Sequence, residues 1–144
     1  MRDIKYRGLT TKGEMIFGSL VVAEAHIKHM PKQHTKTWII TSAFGNGGWF
    51  NIRHRQYVNP ETVGQFTGLQ DKNGVDIYEG DVVRGISSYD GRVTFTPAPV
   101  GFYNGVFGVE HPNGRVVSLY DVTINNNECY IIGNIHSNPE LLEK

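Results

Sequence analysis

The chain has 144 residues, enough for one ordinary domain or for two small barrels that share a core. Its 14 Lys and Arg side chains balance its 14 Asp and Glu side chains, which excludes a strongly basic nucleic-acid-binding protein but not a local basic patch. Its 17 glycines, most of them beside other turn-forming residues, indicate an all-β protein with many tight turns.

Short stretches of alternating apolar and polar residues predict the strands of the first half. They are Ile4–Arg7, Met15–Val22, Trp38–Ser42 and Trp49–Tyr57. Gly18 interrupts the second strand and indicates a bulge or a close approach by a neighbouring backbone. Between the second and third strands, residues 23–30 have helical propensity, Pro31 ends it, and a polar loop follows. We place a boundary in the connector Val58–Thr62, between an N-terminal β region, residues 1–59, and a second region, residues 60–144, packed as one compact unit.

The second half has a more regular pattern of strands and turns. Its predicted strands are Val63–Leu69, Val75–Tyr78, Asp81–Ile86, Arg92–Thr96, Gly101–Glu110, Arg115–Leu119 and Cys129–Ile135. We expect Pro97 and Pro99 to break the sheet, and Asn138 to cap a single helical turn at the C-terminus. Tyr120–Ile124 fits more than one structure. Strands of about five residues at about ten-residue spacing are typical of a barrel or a sandwich.

Two closely spaced turns dominate the centre of the chain. Asn73-Gly74 predicts a hairpin with a type I′ turn, because both central positions of that turn need a positive φ. Glu79-Gly80-Asp81 predicts a second turn, with a positive φ at Gly80. We expect Glu79 and Asp81, which flank Gly80, to accept hydrogen bonds from nearby backbone amides.

The residues around these turns resemble the central motif of the YopX family of phage and prophage proteins. The match runs from Val58 to Val83 and includes Gln65-Phe66-Thr67-Gly68-Leu69, Asp71-Lys72-Asn73-Gly74 and Ile77-Tyr78-Glu79-Gly80-Asp81. The opening Ile4-Lys5-Tyr6-Arg7-Gly8 and the ending Ile131–Leu142 are also similar to the family.

The resemblance implies a mainly β protein with little helix, in which an SH3-like small β-barrel carries an additional N-terminal β region. It also implies a phage or prophage origin, and it brings no established activity with it. The motif residues to which we assign a structural role are Gly68, Asp71, Asn73, Gly74, Tyr78, Glu79, Gly80 and Asp81.

Three functions from different classes compete. We favour a non-catalytic protein-interaction or assembly module that forms a homo-oligomer, because small β-barrels bind partners through short strands and loops. The alternative is nucleic-acid binding, with Trp49, Arg53, Arg55 and Tyr57 as contact residues on one strand face, where aromatic rings alternate with cations.

The third function, a metal-dependent hydrolase, has the weakest support. His26, His29 and His34 lie close together near Glu24, but their spacing matches no standard zinc motif. The acids Asp71, Asp76, Glu79 and Asp81 lie in or beside turns, where structural roles are favoured over acid–base chemistry. We therefore assign no catalytic, metal-binding or cofactor-binding residue, and expect no cofactor.

Cys129 and the distribution of apolar residues bear on the location of the protein. The lone cysteine lies in an apolar run and is expected to be a small buried residue without a disulfide, which fits a reducing compartment. No apolar stretch approaches the ~20 residues of a membrane-spanning helix, and Met1–Lys5 does not resemble a signal peptide. We expect a protein of the bacterial host cytoplasm that does not contact membranes.

Overall fold

A computed structural model describes residues 3–25, 34–46, 49–87, 93–111, 113–124 and 127–142. The chain divides into two units, an N-terminal unit, Asp3–Gln65, and a C-terminal unit that begins at Phe66. The protein is mainly β with little helix, as the sequence predicts. Every strand pair between the described strands is antiparallel.

Four strands in the order β4-β3-β2-β1 form the sheet of the N-terminal unit. They are β1 (Tyr6–Leu9), β2 (Met15–Ala25), β3 (His34–Asn46) and β4 (Trp49–Tyr57). Residue 25 still belongs to β2, so the helical propensity of residues 23–30 produces no helix over residues 23–25, and residues 26–30 lie outside the described residues. A 3₁₀ helix, Pro60–Thr62, follows β4, and Asn59 caps it by accepting a hydrogen bond from the Glu61 amide.

β5 (Gly64–Gln70) crosses the boundary between the units: Gly64 and Gln65 pair with β1, and later residues pair with β6 (Asp76–Tyr78). The hairpin predicted between β5 and β6 is present, but its turn is not type I′. Gly74 has a φ of 80°, whereas Asn73 is not among the described residues with a positive φ. The Gly74 amide donates to the Asp71 carbonyl at 3.0 Å, as in hairpin loops closed by one left-handed glycine.

The other strands of the C-terminal unit form a sheet in the order β10-β9-β8-β7-β11. They are β7 (Asp81–Ser87), β8 (Val93–Tyr103), β9 (Val106–Glu110), β10 (Val116–Ser118) and β11 (Asn127–Asn134). No pairing among these described strands closes the sheet into a barrel, so the SH3-like assignment stays a prediction.

Two predictions for β8 and β9 are wrong. Pro97 and Pro99 lie inside β8 and do not end it. Pro97 lies at a register shift of the β7–β8 ladder, between the pairs made by Phe95 and Ala98, whereas Pro99 pairs with Val82 of β7. The pairing of β8 with β9 begins only at Val100. At Pro97 and Pro99 β8 therefore has no partner on the β9 side, and the missing proline N–H groups remove no hydrogen bond on that side. The second wrong prediction is Gly101–Glu110, which was predicted as one strand. It is a hairpin, because Asn104 and Gly105, with φ of 49° and 90°, turn the chain.

The core of the C-terminal unit is a cluster of buried apolar side chains. It contains Ile77, Val83, Val100, Val109, Leu119, Val122 and Cys129. Leu119 and Val122 belong to α1 (Leu119–Ile124) and lie three residues apart, so one side of this short helix packs on the core. A final 3₁₀ helix covers Pro139–Leu142.

Candidate functional site

Asp71, the first acid of the central motif, is buried and binds backbone amides. Its Oδ1 atom accepts hydrogen bonds from the amides of Asn73 and Val75 at 2.8 and 2.9 Å. Its Oδ2 atom accepts from the amide of Ile131, in β11, at 3.3 Å. The carboxylate therefore holds the β5–β6 turn against a strand that lies 60 residues further along the chain.

Asp81 holds the second turn in the same way. It is 2% exposed, and its Oδ2 atom accepts from the Tyr78 amide at 2.8 Å. Between them, Gly80 has a φ of 80°, donates its amide to Val100 and accepts from Ile135 through its carbonyl. The buried Tyr78 ring contacts Phe66, and of the other motif residues Gly68 has a φ of 86° and Glu79 is half-buried.

Next to the first turn, three polar side chains form a network on the surface of the C-terminal unit. The Lys72 Nζ atom lies 2.9 Å from Glu128, and the Tyr130 hydroxyl donates to the same carboxylate at 2.5 Å. The hydrogen bond from Tyr130 and the contact with Lys72 lower the pKa of Glu128, and the carboxylate raises the pKa of Tyr130 and of Lys72. Cys129 lies between Glu128 and Tyr130 in the sequence. Burial raises the pKa of its thiol to about 12, so at neutral pH this thiol is protonated and a poor nucleophile.

The N-terminal unit presents an exposed face built from aromatic rings and cations. On β3, Thr37 and Ile39 are buried, and the alternate residues Lys36 and Trp38 point to the other side of the sheet. Arg55 and Tyr57 of β4 join them there through the pairing of Trp38 with Tyr57. We call the set Lys36, Trp38, Arg55 and Tyr57 the cation–aromatic face.

Within this face each ring carries a cation. The centroids of the Trp38 and Tyr57 rings are 5.0 Å apart, with a tilt of 38° between the ring planes. The Lys36 ammonium lies 5.3 Å from the centre of the Tyr57 ring, and the Arg55 guanidinium lies 5.7 Å from the Trp38 ring. Tyr57 remains 47% exposed, so the pair of rings is accessible from solvent.

Of the four contact residues predicted from β4, the structure brings Arg55 and Tyr57 together. Trp49 and Arg53 belong to the backbone of β4, but their side chains lie outside the described residues. The register of β3 against β4 shifts by one residue at Ser42 and returns at Ala43, so the pairs Trp38–Tyr57 and Asn46–Trp49 follow the same register. A single alternating face over the whole of Trp49–Tyr57 stays a prediction.

Charge is distributed unevenly along the chain. Residues 3–65 carry eight Lys or Arg and four Asp or Glu, a formal charge of +4, and the rest of the chain carries six and ten, a formal charge of −4. On β2, the positions opposite Lys36, Trp38 and Ile40 are the uncharged residues Ala23, Val21 and Ser19. No ion pair within the described part of the chain involves Lys36 or Arg55.

An open groove of about 280 Å³ adjoins the Tyr57 end of the cation–aromatic face. Its lining comes from the β1–β2 turn and the end of β4, namely Thr10, Thr11, Lys12, Glu14, Gln56 and Tyr57. Thr10 fixes this turn, since its hydroxyl accepts from the amides of Lys12 and Glu14 at 3.3 and 3.1 Å.

A second exposed surface is the aromatic hairpin, which we define as Phe102, Tyr103, Val106 and Phe107 at the tip of β8 and β9. The pair Val100 and Val109 is buried in the core, and the next pair on the same side is Phe102 and Phe107. These two rings meet edge to face at 5.0 Å, yet Phe102 is 56% exposed. No charged residue occurs between Val100 and Val109, so the hairpin offers an uncharged aromatic surface.

The histidine cluster and the acids give no metal site in the described part of the chain. No group of three or more His, Cys, Asp or Glu side chains there could hold a metal ion. His26 and His29 lie outside the described residues, as does the side chain of His34, which begins β3. No helix of the described residues is long and apolar enough to cross a membrane.

The sequence reasoning missed half of the cation–aromatic face. Lys36 and Trp38 flank a buried threonine in β3, and the alternation Lys-Thr-Trp-Ile predicts one face with a cation and a ring. The signal was present, but only the β3–β4 register places it beside Arg55 and Tyr57.

Comparison with known proteins places the chain in a family. It is similar to a solved structure described as the crystal structure of protein EF1440 from Enterococcus faecalis, with 27% sequence identity and a TM-score of 0.60. The similarity covers 99% of this chain and 100% of that chain. No curated protein matches it. Because the model of the YopX protein family matches residues 5–143, the chain belongs to the YopX family.

Proposed function

We propose that this YopX-family chain is a non-catalytic protein-interaction or assembly module that forms a homo-oligomer through the aromatic hairpin. The cytoplasm of a bacterial host belongs to the same proposal and rests on the lone cysteine, Cys129, which fits a reducing compartment. The phage or prophage setting belongs to it too and rests on the family resemblance. So does an SH3-like arrangement of the C-terminal strands.

The observation that carries the proposal is the exposure of aromatic side chains in a segment without charges. Phe102 is 56% exposed and Val106 is 46% exposed, although both belong to regular strands. Apolar surface of this kind is favourable to cover, and protein interfaces are enriched in aromatic residues and depleted of charges at their centre. The uncharged hairpin therefore suits a protein surface better than a polyanion.

The chemistry of the C-terminal unit also supports a binding role over catalysis. Asp71 and Asp81 are buried and accept hydrogen bonds from backbone amides, and Asp81 also accepts one from the Asn134 side chain. The Cys129 thiol is buried, and burial raises its pKa to about 12. A nucleophile or general base needs a reactive form at neutral pH and access to a substrate.

The test is the molar mass in solution over a range of concentrations, measured by light scattering. The wild-type protein should exceed the 16.2 kDa of one chain, and the variant Phe102→Ser should shift towards that mass. The control is Tyr120→Ser, because Tyr120 has nearly the same exposure, 57%, but lies in α1. A wild-type protein that stays monomeric at the highest concentration contradicts the proposal, and so does an equal effect of both substitutions.

A further inference from the structure

We propose that the cation–aromatic face of the N-terminal unit binds single-stranded nucleic acid, with bases stacked on the Trp38–Tyr57 pair and phosphates held by Lys36 and Arg55. This site lies in a different unit from the aromatic hairpin and does not depend on self-association. Its occupant would be recognised by two features that every single strand has, an exposed base face and a charged backbone.

The geometry supplies the stacking platform. Tyr57 is 47% exposed, and the ring of Trp38, its partner on the neighbouring strand β3, supports it at a centroid distance of 5.0 Å. A ring that a neighbouring ring holds in place loses little conformational freedom when a base stacks on it. Base–aromatic stacking is largely independent of sequence, since every base has a flat face.

The positions of the two cations fit a phosphate backbone that runs past the stacked bases. Lys36 and Arg55 are exposed, and each lies less than 6 Å from the centre of one ring. On the β2 side of the face, the opposing residues are uncharged, so no carboxylate there competes with phosphate. The +4 charge of residues 3–65 adds long-range attraction for a polyanion, which the zero net charge of the whole chain conceals.

The same geometry selects a single strand over a duplex. The bases of a duplex are stacked on each other and present only their edges in the grooves, so their faces cannot reach Trp38 or Tyr57. A duplex would keep only its phosphate contacts with Lys36 and Arg55. The neighbouring groove of about 280 Å³ beside Tyr57 gives the strand room to continue past the rings.

The test is fluorescence anisotropy with a labelled single-stranded DNA of mixed sequence and with the duplex of the same sequence, titrated with full-length protein from low to high salt. We expect tighter binding of the single strand. Arg55→Ala should reduce the slope of log K against log salt by about 0.7, the contribution of one phosphate contact to a single strand. Tyr57→Ala should weaken binding roughly 5- to 150-fold with little change in slope, because stacking does not release counterions.

Matched variants separate this site from general electrostatics and from misfolding. Arg84→Ala and Tyr120→Ala remove an exposed cation and an exposed ring of the C-terminal unit and should leave binding unchanged. Tyr57→Phe keeps the ring and should bind like the wild type. No binding at low salt, equal affinity for the duplex, or equal losses in the control variants would overturn the proposal. The proposal would also be overturned if the wild-type protein bound no DNA and Trp38→Ala abolished its oligomers, which would assign the cation–aromatic face to protein contacts.

Discussion

Gly80 occupies a backbone conformation that side chains oppose, at the point where β7 begins. With a φ of 80°, it uses both its amide and its carbonyl in hydrogen bonds to Val100 and Ile135. A Cβ atom would meet Ile135 at 3.4 Å, an ordinary contact, so conformation rather than space sets the cost of a small side chain.

We therefore expect Gly80→Val to lower the free energy of unfolding by roughly 1–3 kcal/mol, measured by chemical denaturation. Gly80→Asn is the control, because Asn tolerates a positive φ better than a β-branched residue and should cost less. Unchanged midpoints for Gly80→Val would show that the turn does not need this conformation.

The Tyr130 hydroxyl gives a pH-dependent test of the surface network. Its hydrogen bond to Glu128 raises the pKa of the phenol above its ordinary value of 10.0. Because the folded-state pKa is the higher one, the contact stabilises the fold below about pH 10, and this contribution is lost as the pH rises through the folded-state pKa. In Glu128→Gln the pKa of Tyr130 should fall, which a titration of the tyrosine ring carbons by NMR would detect. Lys72→Gln is the comparison: since the Lys72 charge lowers the pKa of Tyr130, its removal should not reproduce that fall.

Residue types locate turns in this chain more reliably than they fix turn geometry. Asn73-Gly74 and Asn104-Gly105 are the same dipeptide, and both reverse the chain. Only the second has a positive φ at both residues. At the first, the Asp71 carboxylate binds the amides of Asn73 and Val75, and this contact selects a turn that the dipeptide alone does not specify.

Among the strands, β2 and β3 depend on a glycine where two backbones approach. A Cβ atom on Gly18 would lie 2.1 Å from the carbonyl oxygen of Ile40, a distance that forces the strands apart. The sequence indicated this approach only as an alternative to a bulge, since a lone glycine in a strand is compatible with both.

Gly18→Ala should consequently loosen the N-terminal sheet. We expect faster hydrogen exchange of the amides in β2 and β3, with the amides of β7 and β8 unchanged as an internal reference. Ser19→Ala, at the exposed neighbouring position, should change the free energy of unfolding by less than about 0.5 kcal/mol. Equal exchange in Gly18→Ala and wild type would mean that the backbones are not this close.

Strand positions follow from local patterns, but strand neighbours do not. Alternation and turn residues located most strands to within a few residues, because burial on one side of a sheet demands a period of two. The effect of the prolines in β8 was misjudged. Whether a strand tolerates a proline depends on where its neighbours pair with it, and this depends on the register of β8 with β7 and β9, which the local sequence does not give. α1 was missed because its two core contacts, Leu119 and Val122, are too few to establish a helical period.

For the molecule as a whole, averaged properties conceal the candidate site. A net charge of zero suggested no strong attraction for nucleic acid, but it is the sum of +4 in residues 3–65 and −4 in the remainder. The division into units, which tells which charges belong together, comes from the structure. The pattern of β4 alone could predict Arg55 and Tyr57 as contact residues, whereas their partners Lys36 and Trp38 required the pairing of two strands.

The hydrogen bond between Asp71 and Ile131 also sets an order of events on the ribosome. The chain emerges from its N-terminus, so the four strands of the N-terminal unit can pair before the C-terminal unit is complete. The β5–β6 hairpin can close early, but the Asp71 carboxylate can accept its hydrogen bond from the Ile131 amide only after residue 131 has emerged. The most recognisable segment of the sequence is thus among the last to be locked in place, and a truncated chain would leave a buried acceptor without one of its donors.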